Sequence, residues 1–191
     1  AHDNRVRNAW IVENGHNGIR LTGTGTTGNV ISATVLWANT YDGLSEGNGA
    51  TGNSWTSLDS QINGGLAVDK YADSETSNDL NPAAVKIQSS VLVSNIITIT
   101  GTAMSSNLFT SVKVDAYEIG LGTSGHLNLS YIGGSSVNIS GTWMITSTDR
   151  LLGTSCVAVI QTTTSTLLGV TTNSTEPSYT NCRVALPIIR Q

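Results

Sequence analysis

Residues 13–29 read ENGHNGIRLTGTGTTGN, and seven of the last eight are Gly or Thr. Composition alone makes this a flexible linker. Register with residues 35–68 makes it one rung of a repeat. Three segments align: WIVENGHNGIRL (10–21), VLWANTYDGLSE (35–46) and SLDSQINGGLAV (57–68). Gly18, Gly43 and Gly65 coincide, each followed by an aliphatic residue (Ile19, Leu44, Leu66), and Asn14 matches Asn39, with Gln61 in the third copy. A second set recurs between them: NRV (4–6), GNVI (28–31) and GNSW (52–55), with Asn4, Asn29 and Asn53 spaced 25 and 24.

A unit of 22 to 25 residues with short apolar patches between Asn and Gly predicts coils of a right-handed parallel β-helix, whose inward side chains stack into one core. The expected stacks are Val6/Ile31/Trp55, Ile11/Leu36/Leu58 and Ile19/Leu44/Leu66. Corners need left-handed backbone, which Gly takes without steric cost and Asn tolerates, so Gly18 is expected at a corner. Stacked Asn side chains hydrogen-bond along such a ladder. The competing reading of the same residues is a set of hairpins with Asn-Gly turns. Because the first copy starts in mid-repeat, the expectation is a C-terminal portion of a longer β-helix, or an open end that stacks on another subunit.

Only 12% of the 191 residues are charged and the net charge is -4, with no Lys/Arg cluster, which argues against nucleic acid as a partner. No apolar run has the roughly 18–20 residues needed to span a bilayer. The abundance of Ser, Thr, Asn, Gly, Val and Ile favours an all-β chain rich in turns. Cys156 and Cys182, the two cysteines, permit one disulfide, with buried free thiols as the alternative. His2, His16 and His126 make no metal-ligand spacing.

After Val68 the repeat gives way to DKYADSETSNDLNP (69–82), which reads as an acidic linker or cap. Six alternating segments come next, at 91–103, 110–120, 126–132, 136–146, 155–163 and 181–188, and predict an antiparallel, immunoglobulin-like β-sandwich. Its inward candidates are Val112, Val114, Ala116, Val137, Ile139, Val157, Val159 and Val184. The expected division is β-helix coils over 1–68, an acidic linker over 69–84 and a sandwich over 85–191.

Residues 11–146 resemble bacterial extracellular proteins with right-handed β-helix repeats, many of which carry a CSLREA segment near their N-terminus. The similar runs are NGIRLTGTGTTGNVI, GGLAVDKYADSETSNDLNP at the exit from the last coil, and NIITITGTAMSSNLFTSVKVDAYEIG at the start of the sandwich. The resemblance implies a secreted or surface location and a role in adhesion, matrix or filaments.

The site candidates are few. Asp69, Asp73, Glu75 and Asp79 could supply oxygen ligands for calcium, against a plain solvated linker. Trp37 and Tyr41 are candidate carbohydrate contacts, since aromatics on an elongated face stack on sugar rings; filling a core is the commoner use. Glu13, Asp42, Glu46 and Asp59 are the carboxylates available to a glycosidase pair, which needs two of them facing one groove. They do not recur at equivalent positions of successive coils. Asn128, Asn138 and Asn173 stand in N-x-S/T sequons, which matter in a glycosylating host. The expected function is a non-enzymatic extracellular structural or adhesive protein that assembles with copies of itself or the rest of a longer chain. The rival is a module that binds or cleaves polysaccharide along the β-helix face.

Overall fold

The computed structural model describes residues 1–71, 85–103, 109–121, 127–148, 156–165, 171–175 and 177–179. Those residues form strands and turns and contain no helix. Nine short strands come first: β1 (Arg5–Arg7), β2 (Trp10–Val12), β3 (Ile19–Thr22), β4 (Val30–Ser32), β5 (Val35–Trp37), β6 (Leu44–Gly47), β7 (Ser54–Thr56), β8 (Asp59–Gln61) and β9 (Val68–Tyr71). The longer ones come after them: β10 (Val85–Val93), β11 (Ile96–Ala103), β12 (Ser111–Leu121), β13 (Leu127–Ser136), β14 (Thr142–Ser147), β15 (Val157–Ser165), β16 (Thr171–Ser174) and β17 (Ser178–Tyr179).

The first nine strands pair only in parallel with one another, in three ladders ordered β1-β4-β7, β2-β5-β8 and β3-β6-β9. Each pass of the chain adds one strand to each ladder. The expected stack Val6↔Ile31↔Trp55 is in register. The other two slip in the third pass, where Ile11↔Leu36 continues to Ser60 and Ile19↔Leu44 continues to Val68. Leu58 is still fully buried, whereas Leu66 is only partly so. Alignment on Gly65 produces the slip; the true step is 24 residues, which puts Ala67 beneath Gly43 and Asn63, rather than Gln61, beneath Asn39.

Two columns of asparagine set that step. In the first, the Asn4 backbone N–H and Nδ2 both donate to Asn29 Oδ1 (3.1 and 2.9 Å), and those of Asn29 donate to Asn53 Oδ1 (3.0 and 2.8 Å). In the second, Asn14 donates in the same way to Asn39 Oδ1 (3.2 and 2.8 Å), and Asn39 to Asn63 Oδ1 (3.0 and 2.9 Å). Asn29, Asn39, Asn53 and Asn63 are buried. Their amides satisfy backbone groups where the strand ladders are interrupted by corners.

The left-handed corners do not include Gly18. They lie at Asp3/Gly28/Gly52, Asn8/Ala33/Ser57 and Glu13/Ala38/Ile62, all with φ between 48° and 69°. The first and third sets immediately precede the two Asn columns. Gly18 and Gly43 do not have positive φ; they are small because the next pass crowds them, through the Gly43 carbonyl and Asn39 at Gly18 and through Ser60, the Ala67 carbonyl and Asn63 at Gly43. A Cβ on Gly18 would lie 2.6 Å from the Gly43 carbonyl oxygen and 2.8 Å from Asn39 Nδ2, closer than van der Waals contact allows.

The later strands form a mixed arrangement rather than a detached antiparallel sandwich. One sheet is ordered β10-β11-β14 and the other runs β16-β15-β12-β13-β8-β5-β2, so the second half's sheet continues through Leu129↔Ser60 into a parallel ladder of the first. The two faces of this sheet serve two cores. Val114, Ala116, Ile132, Val157 and Val159 pack with Ile97, Ile99, Trp143 and Ile145. Tyr117, Ile119, Leu129, Ala158 and Ile160 pack with Leu21, Ile31, Leu36, Leu44, Trp55 and Leu58. Period-two alternation along one strand therefore feeds both cores.

Several expectations change in the second half. The segment 91–103 is two strands, β10 and β11, joined at Ser94 with φ 55°. The segment 136–146 breaks where Asn138 Oδ1 accepts from the Ser140 and Thr142 N–H groups, closing a turn. Ile139 in that turn is fully exposed rather than inward, while Val112 and Val137 are partly buried. Asp69, Lys70 and Tyr71, expected in the linker, belong to β9. Val184, residues 72–84 and the segment 181–188 lie outside the described residues.

Position in the Asn column should decide what a truncation costs. Asn39→Ala removes a buried amide that accepts two hydrogen bonds and donates to Asn63, and should cost about 3 kcal/mol. Asn14→Ala, at the exposed end, should cost about 1 kcal/mol or less. Urea unfolding midpoints of the two variants check the order; equal losses would refute the ladder as the source of stability.

Candidate functional site

The outward side chains of β2, β5 and β8 form a grid, with Trp10 beside Val35 and Asp59, and Val12 beside Trp37 and Gln61. With Glu13 they line a groove of about 490 Å³. Trp10 is 78% and Trp37 37% exposed, although both are indoles next to apolar neighbours. The ladder allows no other arrangement, because the residue between them in each strand points into the core: Ile11, Leu36 and Ser60.

The polar edge of the groove is held from behind. Gln61 Nε2 donates to Asp59 Oδ1 at 2.6 Å and to Ser130 Oγ on β13 at 3.0 Å. Burial pushes the Asp59 carboxyl above its ordinary value, partly opposed by the Gln61 hydrogen bond. Glu13 enters from the corner after β2, where its backbone N–H donates to the Trp37 carbonyl.

Of the expected carbohydrate contacts, Trp37 lines this groove and Tyr41 does not; Tyr41 packs at a tilt of 57° against His16, ring centroids 4.9 Å apart. Trp10, absent from the expected contacts, is the groove's most exposed aromatic. The sequence does carry its signal: in WIV and VLW (10–12 and 35–37) each Trp is two residues from an outward valine, around an inward aliphatic. Among the other carboxylates, Asp42 is structural, accepting from the Leu66 N–H at 2.9 Å and from Asn17 Nδ2 at 3.0 Å. Glu46 lies in β6, facing inward and buried, with Asn53 Nδ2 at 2.6 Å and Lys70 Nζ at 3.7 Å.

Of the calcium candidates, Asp69 is buried in β9, while Asp73, Glu75 and Asp79 lie outside the described residues, as does His126. Among the described residues no group of three or more His, Cys, Asp and Glu could hold a metal ion. Cys156 is partly buried against the first core and is not a free thiol; Cys182 lies outside the described residues. Of the sequon asparagines, Asn138 is exposed in its turn. Asn128 is half-buried, its Oδ1 accepting from the Ile62 N–H at 2.8 Å, and Asn173 lies in β16. No helix among the described residues is long and apolar enough to cross a membrane.

No protein-family profile, curated protein or solved structure matches the chain.

Burial lifts the Glu46 carboxyl above its ordinary 4.5, with Asn53 and Lys70 pulling the other way. The folded protein then holds this proton more tightly than the unfolded chain, so stability falls as pH rises from about 4.5 towards the folded value. Glu46→Gln keeps the oxygen that accepts from Asn53 and should remove that part of the decline. Urea midpoints of both proteins between about pH 4 and pH 8 test this; parallel curves would refute it.

Proposed function

We propose that residues 1–71 are three coils of a right-handed parallel β-helix, that the later strands are an immunoglobulin-like sandwich built onto its last coil, and that the protein is a non-enzymatic, extracellular structural or adhesive component. The resemblance to bacterial β-helix surface proteins supports the same reading. A Cys156–Cys182 disulfide belongs to it, as does a calcium role for the acidic segment.

One observation carries the assembly part: the two ends of the Asn columns are treated differently. At the inner end, Asn53 and Asn63 donate to Thr26 and Leu36 carbonyls and to Glu46 and Ser60, and the sheet of the second half covers them. At the outer end, no donor among the described residues reaches Asn4 Oδ1 or Asn14 Oδ1, although both positions repeat the geometry of acceptors one and two passes below. Val6, Ile11 and Ile19 are likewise only partly buried there. Such an edge fits another coil of the same kind, from a longer chain or a second copy.

Cleavage is the weaker form of the rival reading. A glycosidase needs two carboxyls free to act on one bond in one groove, and of the two that line this groove, Glu13 and Asp59, the latter is already held by Gln61.

Val6→Asp puts a carboxylate on the open core, where water solvates it if the edge is free and burial penalises it if a coil stacks there. The expected outcome is loss of end-to-end particles in negative-stain images and sedimentation profiles, with unchanged far-ultraviolet dichroism. Wild-type particles that never associate, in the full-length protein as well as in this chain, would overturn the assembly reading.

A further inference from the structure

We infer that the groove on the outer face of β2, β5 and β8 is a binding site for an uncharged hexopyranose chain. It goes beyond the assembly reading, needing only the three-stranded ladder, and stands or falls whether or not coils stack end to end.

Three features point to that class of ligand. First, Trp10 and Trp37 are diagonal neighbours on adjacent parallel strands, which spaces their backbone positions by roughly 7–8 Å. Two indoles at that separation offer successive apolar platforms to the C–H faces of successive sugar rings. Second, the polar groups stand beside the platforms rather than beneath them. Asp59 Oδ2 and Gln61 Oε1 are acceptors for sugar hydroxyls, and Gln61 is fixed in place through Ser130. An apolar floor with a few oriented polar groups fits a hydroxyl-bearing ring better than a purely apolar protein surface.

Third, the charge is one-sided. Glu13 and Asp59 line the groove with no lysine or arginine among its lining residues. Uronate and phosphate polymers are therefore repelled, and an uncharged chain is favoured. Rigidity adds to this. The tryptophans project from a ladder pinned by the Ile11↔Leu36↔Ser60 stack on its inner side, so little conformational freedom is lost on binding.

The test is titration of the intact chain, monitored by tryptophan emission and calorimetry, with uncharged hexasaccharides of glucose and of N-acetylglucosamine and with a galacturonate hexamer. The expected result is saturable binding of an uncharged hexamer with a shift in emission. Trp10→Ala and Trp37→Ala should each weaken it about tenfold or more, as loss of one stacking platform would. Tyr41→Ala, outside the groove, should leave it unchanged and serves as the folding and specificity control. The galacturonate hexamer should bind at least tenfold more weakly than the uncharged one. The inference is overturned if no uncharged hexamer binds, if binding survives both tryptophan substitutions, or if the uronate binds equally well. It is also overturned if sedimentation shows that Trp10→Ala and Trp37→Ala dissociate a dimer, since a second copy would then be the occupant.

Discussion

The constraint on which the first half depends is that a corner interrupts the strand ladder without releasing its backbone groups from the need for partners. A buried N–H left unpaired costs about 1–3 kcal/mol, and here the same two corners recur in three passes. Asparagine meets the need because one short side chain carries both an acceptor and a donor. Its Oδ1 takes the N–H and the amide of the residue above, and its Nδ2 passes the pattern down. The column works only if each pass has nearly the same length, so the amides act as a ruler for the repeat. Glycine at 18 and 43 goes with this close stacking, since backbone carbonyls of the next pass, together with Asn39, Ser60 and Asn63, occupy the space a Cβ would need.

The same requirement explains why the second half is not independent of the first. The last pass would present the open end of three ladders and of the core. Instead, Leu129 pairs with Ser60, Ser174 Oγ accepts from the Trp55 N–H at 2.9 Å, Asp115 Oδ2 takes the Ser57 N–H at 3.0 Å and Asn128 takes that of Ile62. Ser57 and Ile62 are both left-handed corner residues, and for the β-branched Ile62 that backbone is costly. Polar side chains from the covering sheet thus meet the corners of the last pass, where no further Asn column can. Lys70 completes the cover, reaching the Ser174 carbonyl at 2.6 Å and lying 5.6 Å from the Trp55 ring centroid, beside Glu46.

Legibility in the sequence tracks repetition by residue type. The Asn and Gly positions of the first two copies recur at 25 residues, so their register is readable, as is the Val6/Ile31/Trp55 stack. The third copy misleads because Gly64-Gly65 offers a glycine two residues away from the position Ala67 fills. Five of the nine left-handed corners are invisible, because Glu13, Ala33, Ala38, Ser57 and Ile62 are residue types with no preference for that backbone, unlike Gly28, Gly52, Asn8 and Asp3. Their only mark is a place before the Asn columns, or a step of 25 and 24 from one another. Ile139 has the parity of an inward residue in an alternating strand, and only the turn closed by Asn138 turns it out. The continuity of the large sheet has no local signal, since Leu129↔Ser60 joins segments 69 residues apart.

The groove shows the cost of reading residue types without their facing. Trp10, Trp37 and Trp55 look alike in sequence, as aromatics of the repeat. The ladders separate them: Trp55 is stacked inward beneath Ile31, whereas Trp10 and Trp37 sit on the opposite parity of their ladder and point out. The inward tryptophan at the last pass is fully buried in the first core, its indole Nε1 donating to the Thr175 carbonyl at 3.2 Å. An outward pair on the same scaffold does nothing for the core, and exposing two indoles beside valines forgoes burial worth roughly 1.5–3 kcal/mol for a large apolar side chain. The ladder's inner face fixes their parity but does not require their identity, since Val12 and Val35 hold the neighbouring sites of the grid. The fold that carries tryptophan at 10 and 37 therefore does not account for their identity, which the sugar chain inferred above would.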